Sequence, residues 1–337
     1  MEFKQQVEKL CETAGLGKVV EFPKPLSGGL LHKMYAVKTT SGAFAVKALN
    51  PTIMARPEAV QNYLTAEQIA RIAAKHVPAL PAKVIDGSPL IRIDGSYFLV
   101  FDWVEGEILQ SSKIEREHAK KMGAILGELH TMDFSLREVE PEHPAALIEW
   151  KRFYDKGKEE NAEWVDAFSE TLDSLYQWTE HATEAASKLS QGFVYSHRDL
   201  DPKNVLWRNG APTVIDWEAA GPVHPMQELL ETAIYWSEKE EKAVDKDQFL
   251  TFIKAYEEKC GTAHADWFNG LVMGFATKLD WLEYNLKRSL WMECSDEEDQ
   301  QLGTEQVFAT LNDLNSYAEA IPELHGWLKE LEGDESG

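Results

Sequence analysis

The 337 residues of this chain are enough for two domains or lobes, and a composition of 44% hydrophobic and 27% charged residues is that of an ordinary globular protein. No apolar run approaches the roughly 20 residues of a membrane-spanning helix, and a net charge of −23 disfavours nucleic acid and anionic membranes as partners. Three scattered cysteines and a polar N-terminus unlike a signal peptide predict a cytoplasmic protein with reduced thiols.

A glycine loop and a hairpin are predicted after an amphipathic helix at 3–14. The strands of the hairpin are expected at 34–37 and 43–49. Glycine permits the close backbone approach that phosphate binding requires, although two adjacent glycines are more often a plain turn. The position of the loop before the hairpin favours nucleotide binding by three residues, Ser27, Gly28 and Gly29.

A lysine and a glutamate are predicted to act beside that loop. Lys47 points away from the apolar side chains of its strand because side chains alternate along a strand. Such a lysine is usually solvated, but under a glycine loop it can bind phosphate as a point charge. In the predicted helix 58–75, Glu67 is in line with the apolar stripe and could either hold Lys47 or lie on a solvated rim. Glu58 is a rival that the helix dipole explains better.

Further strands are predicted before the chain becomes helical. They lie at 82–85, 90–93 and 97–101, and the sheet stops at a hinge, 102–106. The later helices are predicted at 145–190, 226–260, 264–292, 304–320 and 323–332. Tryptophan faces can hold ammonium groups, although most tryptophans belong to a core. Three candidates for acceptor binding lie on the 264–292 helix, namely Asp280, Glu283 and Tyr284.

The stretch 193–218 carries the most specific pattern in the sequence. His197, Asp199 and Asn204 have the spacing of the kinase signature H-R-D-L-x-x-x-N, and a short apolar run then predicts a strand that delivers Asp216. Phosphoryl transfer from a nucleotide needs a carboxylate near the attacking hydroxyl and oxygen ligands for magnesium. The pattern predicts Asp199 as that carboxylate, and Asn204 and Asp216 as Mg²⁺ ligands.

These motifs together resemble the aminoglycoside phosphotransferase and choline kinase family of small-molecule kinases. The resemblance covers about 20–290 and includes the glycine loop, Ala-Val-Lys at 45–47, Gly-Glu-Leu-His at 127–130 and Ile-Asp-Trp-Glu at 215–218. No Ala-Pro-Glu motif follows, which argues against a protein substrate. The chain has Glu228 where members of the family often have aspartate, and this leaves the acceptor pocket unassigned.

The resemblance implies an α+β, protein-kinase-like fold with two lobes. An N-lobe with an antiparallel sheet and one helix (1–101) would be joined by the hinge (102–106) to a mostly helical C-lobe (107–337). It implies that Asp199 is the catalytic base and that Lys47 contacts the α- and β-phosphates and pairs with Glu67. In a two-lobed kinase the hinge backbone, here at Asp102 and Val104, holds the nucleobase.

The expected activity is an ATP- and Mg²⁺-dependent transfer of phosphate to a hydroxyl of a small, cationic molecule. The acidic balance favours an aminoglycoside-like amino sugar, whereas the tryptophans and Ile-Asp-Trp-Glu favour a choline, ethanolamine or thiamine type of acceptor. Trp217 and Glu218 are further candidates for acceptor binding. Solubility alone would also explain the charge, and a non-catalytic nucleotide-binding pseudokinase is the alternative from another class. The sequence leaves open the acceptor, ATP versus GTP, and the oligomeric state.

Overall fold

The computed structural model describes residues 2–26, 31–136, 148–189, 192–239, 242–260 and 266–334. Its helices are α1 (Glu2–Thr13), α2 (Pro51–Met54), α3 (Ala59–Ala73), α4 (Arg116–Thr131), α5 (Trp150–Glu160), α6 (Val165–Lys188), α7 (Pro225–Tyr235), α8 (Lys246–Cys260), α9 (Trp267–Ser289) and α10 (Glu297–Asp334). Its strands are β1 (Lys24–Leu26), β2 (Lys33–Thr39), β3 (Gly42–Ala48), β4 (Ile91–Ile93), β5 (Ser96–Asp102), β6 (Glu107–Ile108), β7 (Val194–Ser196), β8 (Val205–Arg208), β9 (Ala211–Val214) and β10 (Gly221–Val223). The 3₁₀ turns are η1 (Ser111–Lys113), η2 (Pro202–Asn204) and η3 (Trp217–Ala219). The predicted α+β fold, with an N-terminal antiparallel sheet and a mainly helical C-terminal part, is confirmed.

The chain forms two compact units that do not follow sequence order. Unit 1 comprises Met1–Leu109 and Ser196–Gly221, and unit 2 comprises Gln110–Tyr195 and Pro222–Gly337. The later segment belongs to unit 1 because β8 pairs with both β6 and β9. In addition, the backbone of Val214 accepts a hydrogen bond from Leu80 (2.8 Å) and donates one to Pro78 (2.7 Å). The lobe boundaries expected from the sequence, at 101 and 107, remain a prediction.

The sheet of unit 1 explains how a lysine becomes buried. Its strands have the order β1-β2-β3-β5-β4, and neighbours are antiparallel. Val46 of β3 lies opposite Val100 of β5, and both join α1 in one apolar core. The next residue, Lys47, therefore faces the other side of the sheet, where Leu99 packs with Tyr63 of α3.

Several predicted elements have other bounds in the structure. The expected strand at 82–85 is irregular apart from a bridge between Ile85 and Ser88. The expected helix at 226–260 is divided into α7 and α8, whereas the helices expected at 304–320 and 323–332 form the single helix α10. Pro322 lies inside α10. Proline removes one backbone donor, but α10, which packs on α9, continues through it.

Buried polar groups hold the helices of unit 2 together. His130 of α4 lies within hydrogen-bonding distance of Glu228 of α7 (2.9 Å) and of the Tyr256 hydroxyl of α8 (2.8 Å). The glutamate that departs from the family pattern is therefore a buried partner of a histidine. The indole of Trp164, which is fully buried, donates to the Ser289 hydroxyl at 2.9 Å. Trp164 therefore belongs to the core, as the sequence analysis expects of most tryptophans.

Gly123→Ala is expected to lower the free energy of unfolding by about 1–3 kcal/mol, because α4 packs closely against α8. A Cβ at this position would lie 2.3 Å from the carbonyl oxygen of Phe252, and backbone cannot move aside as a flexible side chain can. Urea unfolding followed by circular dichroism measures the loss. The matched control is Gly326→Ala in α10, where a Cβ meets no heavy atom within 4 Å. An equal effect of both changes would contradict this account of the packing.

Candidate functional site

The turn after His197 presents Asp199 and Asn204 side by side. The side chain of Asp201 accepts a hydrogen bond from the backbone N–H of Lys203 (2.8 Å) and begins η2, whose first residue is proline. The turn brings the amide of Asn204 back to Asp199, where Nδ2 donates to the carbonyl oxygen and to Oδ2, each at 2.8 Å. Because its NH₂ group is engaged, Asn204 keeps its amide oxygen available as a ligand.

His197 joins this turn to the strand that precedes Asp216. The ring is fully buried, and its Nδ1 accepts a hydrogen bond from the backbone N–H of Asp199 (3.2 Å). Its proton therefore lies on Nε2, which donates to the carbonyl oxygen of Ile215 at 2.9 Å. The indole of Trp217 contacts the ring edge-on, with 4.6 Å between ring centroids. His197 is thus a positioning residue for two carboxylates, and the sequence pattern alone assigned it no such role.

Asp216 has a backbone conformation that few non-glycine residues adopt. Its φ of 61° and ψ of 60° are left-handed, and the residue lies between β9 and η3. The preceding residue is fixed because the N–H of Ile215 donates to the carbonyl oxygen of Asn204 at 2.9 Å. Strained backbone of this kind is often found at ligand sites. The conformation turns Asp216 away from the direction of the strand, next to the turn that carries Asn204.

Lys47 meets two carboxylates. Its Nζ lies 2.6 Å from Oδ1 of Asp216 and 2.6 Å from Oε2 of Glu218, and the lysine is only 5% exposed. Burial opposes the charge, but Glu218 and Asp216 together outweigh it and raise the pKa of Lys47. The ammonium group is therefore charged at neutral pH. Residues 169 positions apart in the sequence are joined in this contact.

The predicted pairing of Lys47 with Glu67 is wrong for this structure. Among the described residues, the ion-pair partners of Lys47 are Asp216 and Glu218. The carboxylate of Glu67 instead accepts a hydrogen bond from the backbone N–H of Ala82 (2.7 Å). Glu67 does face the interior, as its place on the apolar stripe predicted, and is 3% exposed. Helical periodicity indicated the face correctly, but it could not specify the partner.

Glu67→Gln is expected to gain stability relative to the natural protein as pH rises from about 4.5 to about 7. Burial raises the pKa of Glu67 to about 7, although Ala82 and Lys47 oppose this. A carboxyl with a raised folded pKa stabilises the fold when protonated and loses that contribution as pH rises through the folded value. Glutamine does not titrate, so the difference should change by about 2 kcal/mol over this range. Urea unfolding at pH 5 and pH 8 measures it, and a pH-independent difference would contradict the burial argument.

Glu218 and His32 complete the cluster around Lys47. Oε2 of Glu218 lies 3.4 Å from Nε2 of His32, which also contacts the hydroxyl of Tyr63. Nδ1 of His32 accepts the backbone N–H of Asn50 at 2.9 Å, so the proton lies on Nε2 and faces these two oxygens. Burial and the charge of Lys47 lower the pKa of His32 to about 3, and the ring stays neutral. Glu218, which the sequence predicted to bind the acceptor, forms an ion pair with Lys47 in this structure.

The predicted glycine loop and hinge are covered only in part. Ser27, Gly28 and Gly29 lie outside the described residues. Asp102 ends β5, and its exposed carboxylate pairs with Lys83 at 2.8 Å. Val104, two residues later, lies in an irregular segment of unit 1 and is half-buried.

The other predicted acceptor residues belong to different units. Trp217 is 2% exposed, and its Nε1 donates to the carbonyl oxygen of Val214 at 3.1 Å. It is therefore part of the interior of unit 1. Three candidates lie on α9 in unit 2, namely Asp280, Glu283 and Tyr284. The structure brings together Lys47, Asp199, Asn204, Asp216 and Glu218, which all belong to unit 1.

The oxygens of the site suit a magnesium ion that is shared with phosphate. Mg²⁺ is usually bound by one or two carboxylates together with substrate phosphates and water. Asn204 supplies an amide oxygen and Asp216 a carboxylate, which is a hard-oxygen donor set of that kind. Within the described ranges, no group of three or more His, Cys, Asp or Glu side chains could hold a metal ion by itself. The described ranges also contain no helix long and apolar enough to span a bilayer.

Comparisons with known proteins identify the family of the chain. The phosphotransferase enzyme family, APH, matches residues 23–261. Stress response kinase A of Escherichia coli (strain K12) is 25% identical over 225 residues, which are 64% of this chain and 62% of that protein. The match thus spans less than two thirds of this curated relative.

Solved structures of two kinds of enzyme share the fold. Spectinomycin phosphotransferase APH(9)-Ia, in complex with ADP and spectinomycin, superposes with a TM-score of 0.67 at 12% identity, over 94% of this chain and 98% of that one. Choline kinase LicA from Streptococcus pneumoniae superposes with a TM-score of 0.60 at 17% identity, over 94% and 100% of the two chains.

Proposed function

The chain belongs to the APH phosphotransferase enzyme family, and on this premise we propose that it transfers the γ-phosphoryl group of ATP to a hydroxyl group of a small molecule. The observation that carries the proposal is the continuous set of contacts from Lys47 to Asp199. The lysine contacts Asp216, the residue before Asp216 is bonded to Asn204, and Asn204 is bonded to Asp199. These are the residue types that phosphoryl transfer needs, in direct succession.

In this proposal the nucleotide lies along that set of residues. The charged amine of Lys47 binds phosphate oxygens, and the hinge backbone near Asp102 and Val104 receives the base. Asn204 and Asp216 would hold Mg²⁺, and the bound ion would neutralise phosphate charge. Support for the nucleotide comes from the relatives, because structures of spectinomycin phosphotransferase contain ADP or AMP.

Asp199 takes the proton of the acceptor hydroxyl. A bond forms between the acceptor oxygen and the γ-phosphorus, and the bond from that phosphorus to the bridging oxygen breaks. The electron pair of the broken bond leaves with ADP, and the hydroxyl proton passes to the carboxylate of Asp199. Burial raises the pKa of this carboxyl, against the lowering effect of Lys203, and a raised pKa makes it a better base. Most of the rate should come from positioning and from stabilisation of charge on the phosphoryl oxygens.

The acceptor is proposed to be a small cationic alcohol. The net charge of −23 would attract such a molecule. Among the relatives of similar fold, one name specifies spectinomycin and others specify choline or ethanolamine. We favour an amino sugar over an alcohol amine because the aromatic Trp217, which suggested a choline-type site, is buried in unit 1.

The experiment is a screen for nucleotide consumption by the full chain. ATP and GTP are each offered with spectinomycin, other amino sugars, choline, ethanolamine and thiamine, with magnesium omitted as the control. Formation of ADP that depends on both Mg²⁺ and one acceptor, with phosphate recovered as an ester of that acceptor, would establish the activity. If the protein binds ATP but forms no ADP with any acceptor, the pseudokinase alternative replaces this proposal.

A further inference from the structure

Lys203 approaches the carboxylate that is proposed as the base. Its Nζ lies 3.3 Å from Oδ1 of Asp199 and 3.8 Å from Oδ2 of Asp201, and its side chain is 53% exposed. The residue lies in η2, immediately before Asn204. An amine in this position stands at the side of the base, where an acceptor hydroxyl would have to arrive.

The two oxygens of Asp199 have different surroundings. Oδ2 accepts a hydrogen bond from the amide of Asn204 at 2.8 Å, whereas Oδ1 faces the amine of Lys203. An acceptor hydroxyl bound to Oδ1 would have its oxygen about 2.7 Å away. The phosphorus that it attacks would lie about 3–3.5 Å beyond that oxygen. The long, half-exposed side chain of Lys203 can therefore reach the oxygens of the phosphoryl group from its position beside Oδ1.

The two lysines of the site serve different carboxylates. Lys47 contacts Asp216 and Glu218, whereas Lys203 contacts Asp199 and Asp201. Charge in the transition state of phosphoryl transfer is spread over three oxygens of the group in transit. Lys47 is proposed to bind phosphate oxygens of the nucleotide. A second cation next to Asp199 would stabilise the charge on those phosphoryl oxygens that Lys47 does not contact.

We propose that Lys203 is a further catalytic residue, whose ammonium group contacts the phosphoryl oxygens during transfer to the acceptor. This inference rests on the proposed function. The competing explanation is an ordinary exposed ion pair between residues four apart, and such pairs usually contribute little. Ion pairs between residues four apart usually form because an α-helix brings the two side chains to the same face. Here η2 is a three-residue 3₁₀ turn rather than an α-helix.

Lys203→Ala tests the inference by magnesium-dependent ATP turnover, with water or an acceptor from the screen. The expected result is a fall in kcat of about 10²–10³-fold, the usual effect of losing one group that stabilises transition-state charge, with KM for ATP changed less than about threefold. Lys203→Arg should recover part of the rate because the cation is retained. The matched control is Lys151→Ala, which removes an exposed lysine from another pair four residues apart, with Asp155.

A binding measurement separates a catalytic role from a structural one. The dissociation constant of ADP with magnesium is measured by titration calorimetry, with and without fluoroaluminate, a planar mimic of the phosphoryl group in transit. In the natural protein fluoroaluminate should tighten ADP binding, as transition-state analogues do. In Lys203→Ala the affinity for ADP alone should persist, and the additional tightening should fall at least tenfold.

Each other outcome overturns a specific statement. Equal tightening and equal kcat in Lys203→Ala would overturn the inference and leave the proposed function in place. Loss of affinity for ADP alone in Lys203→Ala would assign the lysine to nucleotide binding or folding and would also overturn it. A natural protein that binds no ADP would overturn the proposed function and the inference together.

Discussion

Asp199→Asn is expected to lower kcat about 10²–10⁴-fold and to leave the affinity for ADP and the stability of the fold nearly unchanged. The substitution removes the basic oxygen, but an asparagine can still accept the hydrogen bond from Asn204 that the structure contains at 2.8 Å. The backbone N–H that contacts His197 is also retained. Loss of activity without loss of structure would therefore identify the carboxylate as the proton acceptor.

The measurement is ATP turnover with the acceptor that the screen identifies, together with thermal unfolding. A matched control is Asp201→Asn in the same turn, because asparagine caps a turn as well as aspartate does and Asp201 is not the proposed base. The control should lose less than tenfold in kcat. If both variants lose activity equally, or if Asp199→Asn keeps full activity, the assignment of Asp199 as the base is wrong.

Lys47→Met is expected to lower the affinity for ATP about 10²-fold or more and to destabilise the fold by about 1–3 kcal/mol. The loss of affinity follows from the proposed contact of the amine with phosphate. The loss of stability follows because Asp216 and Glu218, both on the same amine at 2.6 Å, would keep their charges without a buried partner. Removing one member of a buried pair costs about 3–5 kcal/mol. The smaller figure applies here because both carboxylates are partly exposed.

The loss of stability in Lys47→Met should depend on pH in a definite direction. Burial alone would raise the pKa of Asp216, but Lys47 more than offsets burial and lowers it. The lysine therefore stabilises the natural protein above the ordinary carboxyl pKa, and this contribution is lost as pH falls through the folded value. Without Lys47 the carboxylates repel each other, and protonation relieves the repulsion. The stability difference between the two proteins should therefore shrink as pH falls below the ordinary carboxyl pKa of 3.8.

Urea unfolding at several pH values and calorimetric titration of ATP measure the two effects separately. The matched control is Lys38→Met, which removes an exposed lysine from the neighbouring strand, where it pairs with Glu21 at 2.9 Å. This change should alter the free energy of unfolding by less than about 0.5 kcal/mol, since exposed pairs contribute little. A stability difference that grows on acidification would contradict the ion-pair geometry around Lys47.

Local pattern was sufficient to predict the fold class and to select the candidate residues of the site. Alternation along β3 placed Lys47 on the face opposite Val46, and the spacing of the central stretch singled out Asp199, Asn204 and Asp216. Both signals are local, since one depends on the two-residue period of a strand and the other on the length of one turn. For the same reason, the resemblance to the APH phosphotransferases could be stated from short strings, and it is confirmed.

The partners of those residues depended on distant parts of the chain. Whether Lys47 would meet Glu67, 20 positions away, or Glu218, 171 positions away, is a question of which element packs closest to its amine. Sequence analysis chose the nearer helix, while the short spacing from Asp216 to Glu218 was the signal that pointed to the other partner. His32 lies three residues after Gly29, and no sequence pattern marked it as a neighbour of Lys47.

The sequence by itself determined the fold class and the faces that Lys47 and Glu67 occupy, and it selected the candidate residues of the site. Only the tertiary structure decided that the segment Ser196–Gly221 joins the N-terminal unit, that Glu67 bonds to a backbone N–H, and that Lys203 lies beside the proposed base, Asp199. The physical reason is that periodicity is set by backbone geometry within a few residues. Ion pairs and hydrogen bonds are instead chosen among all the groups that folding brings within about 3 Å of one another.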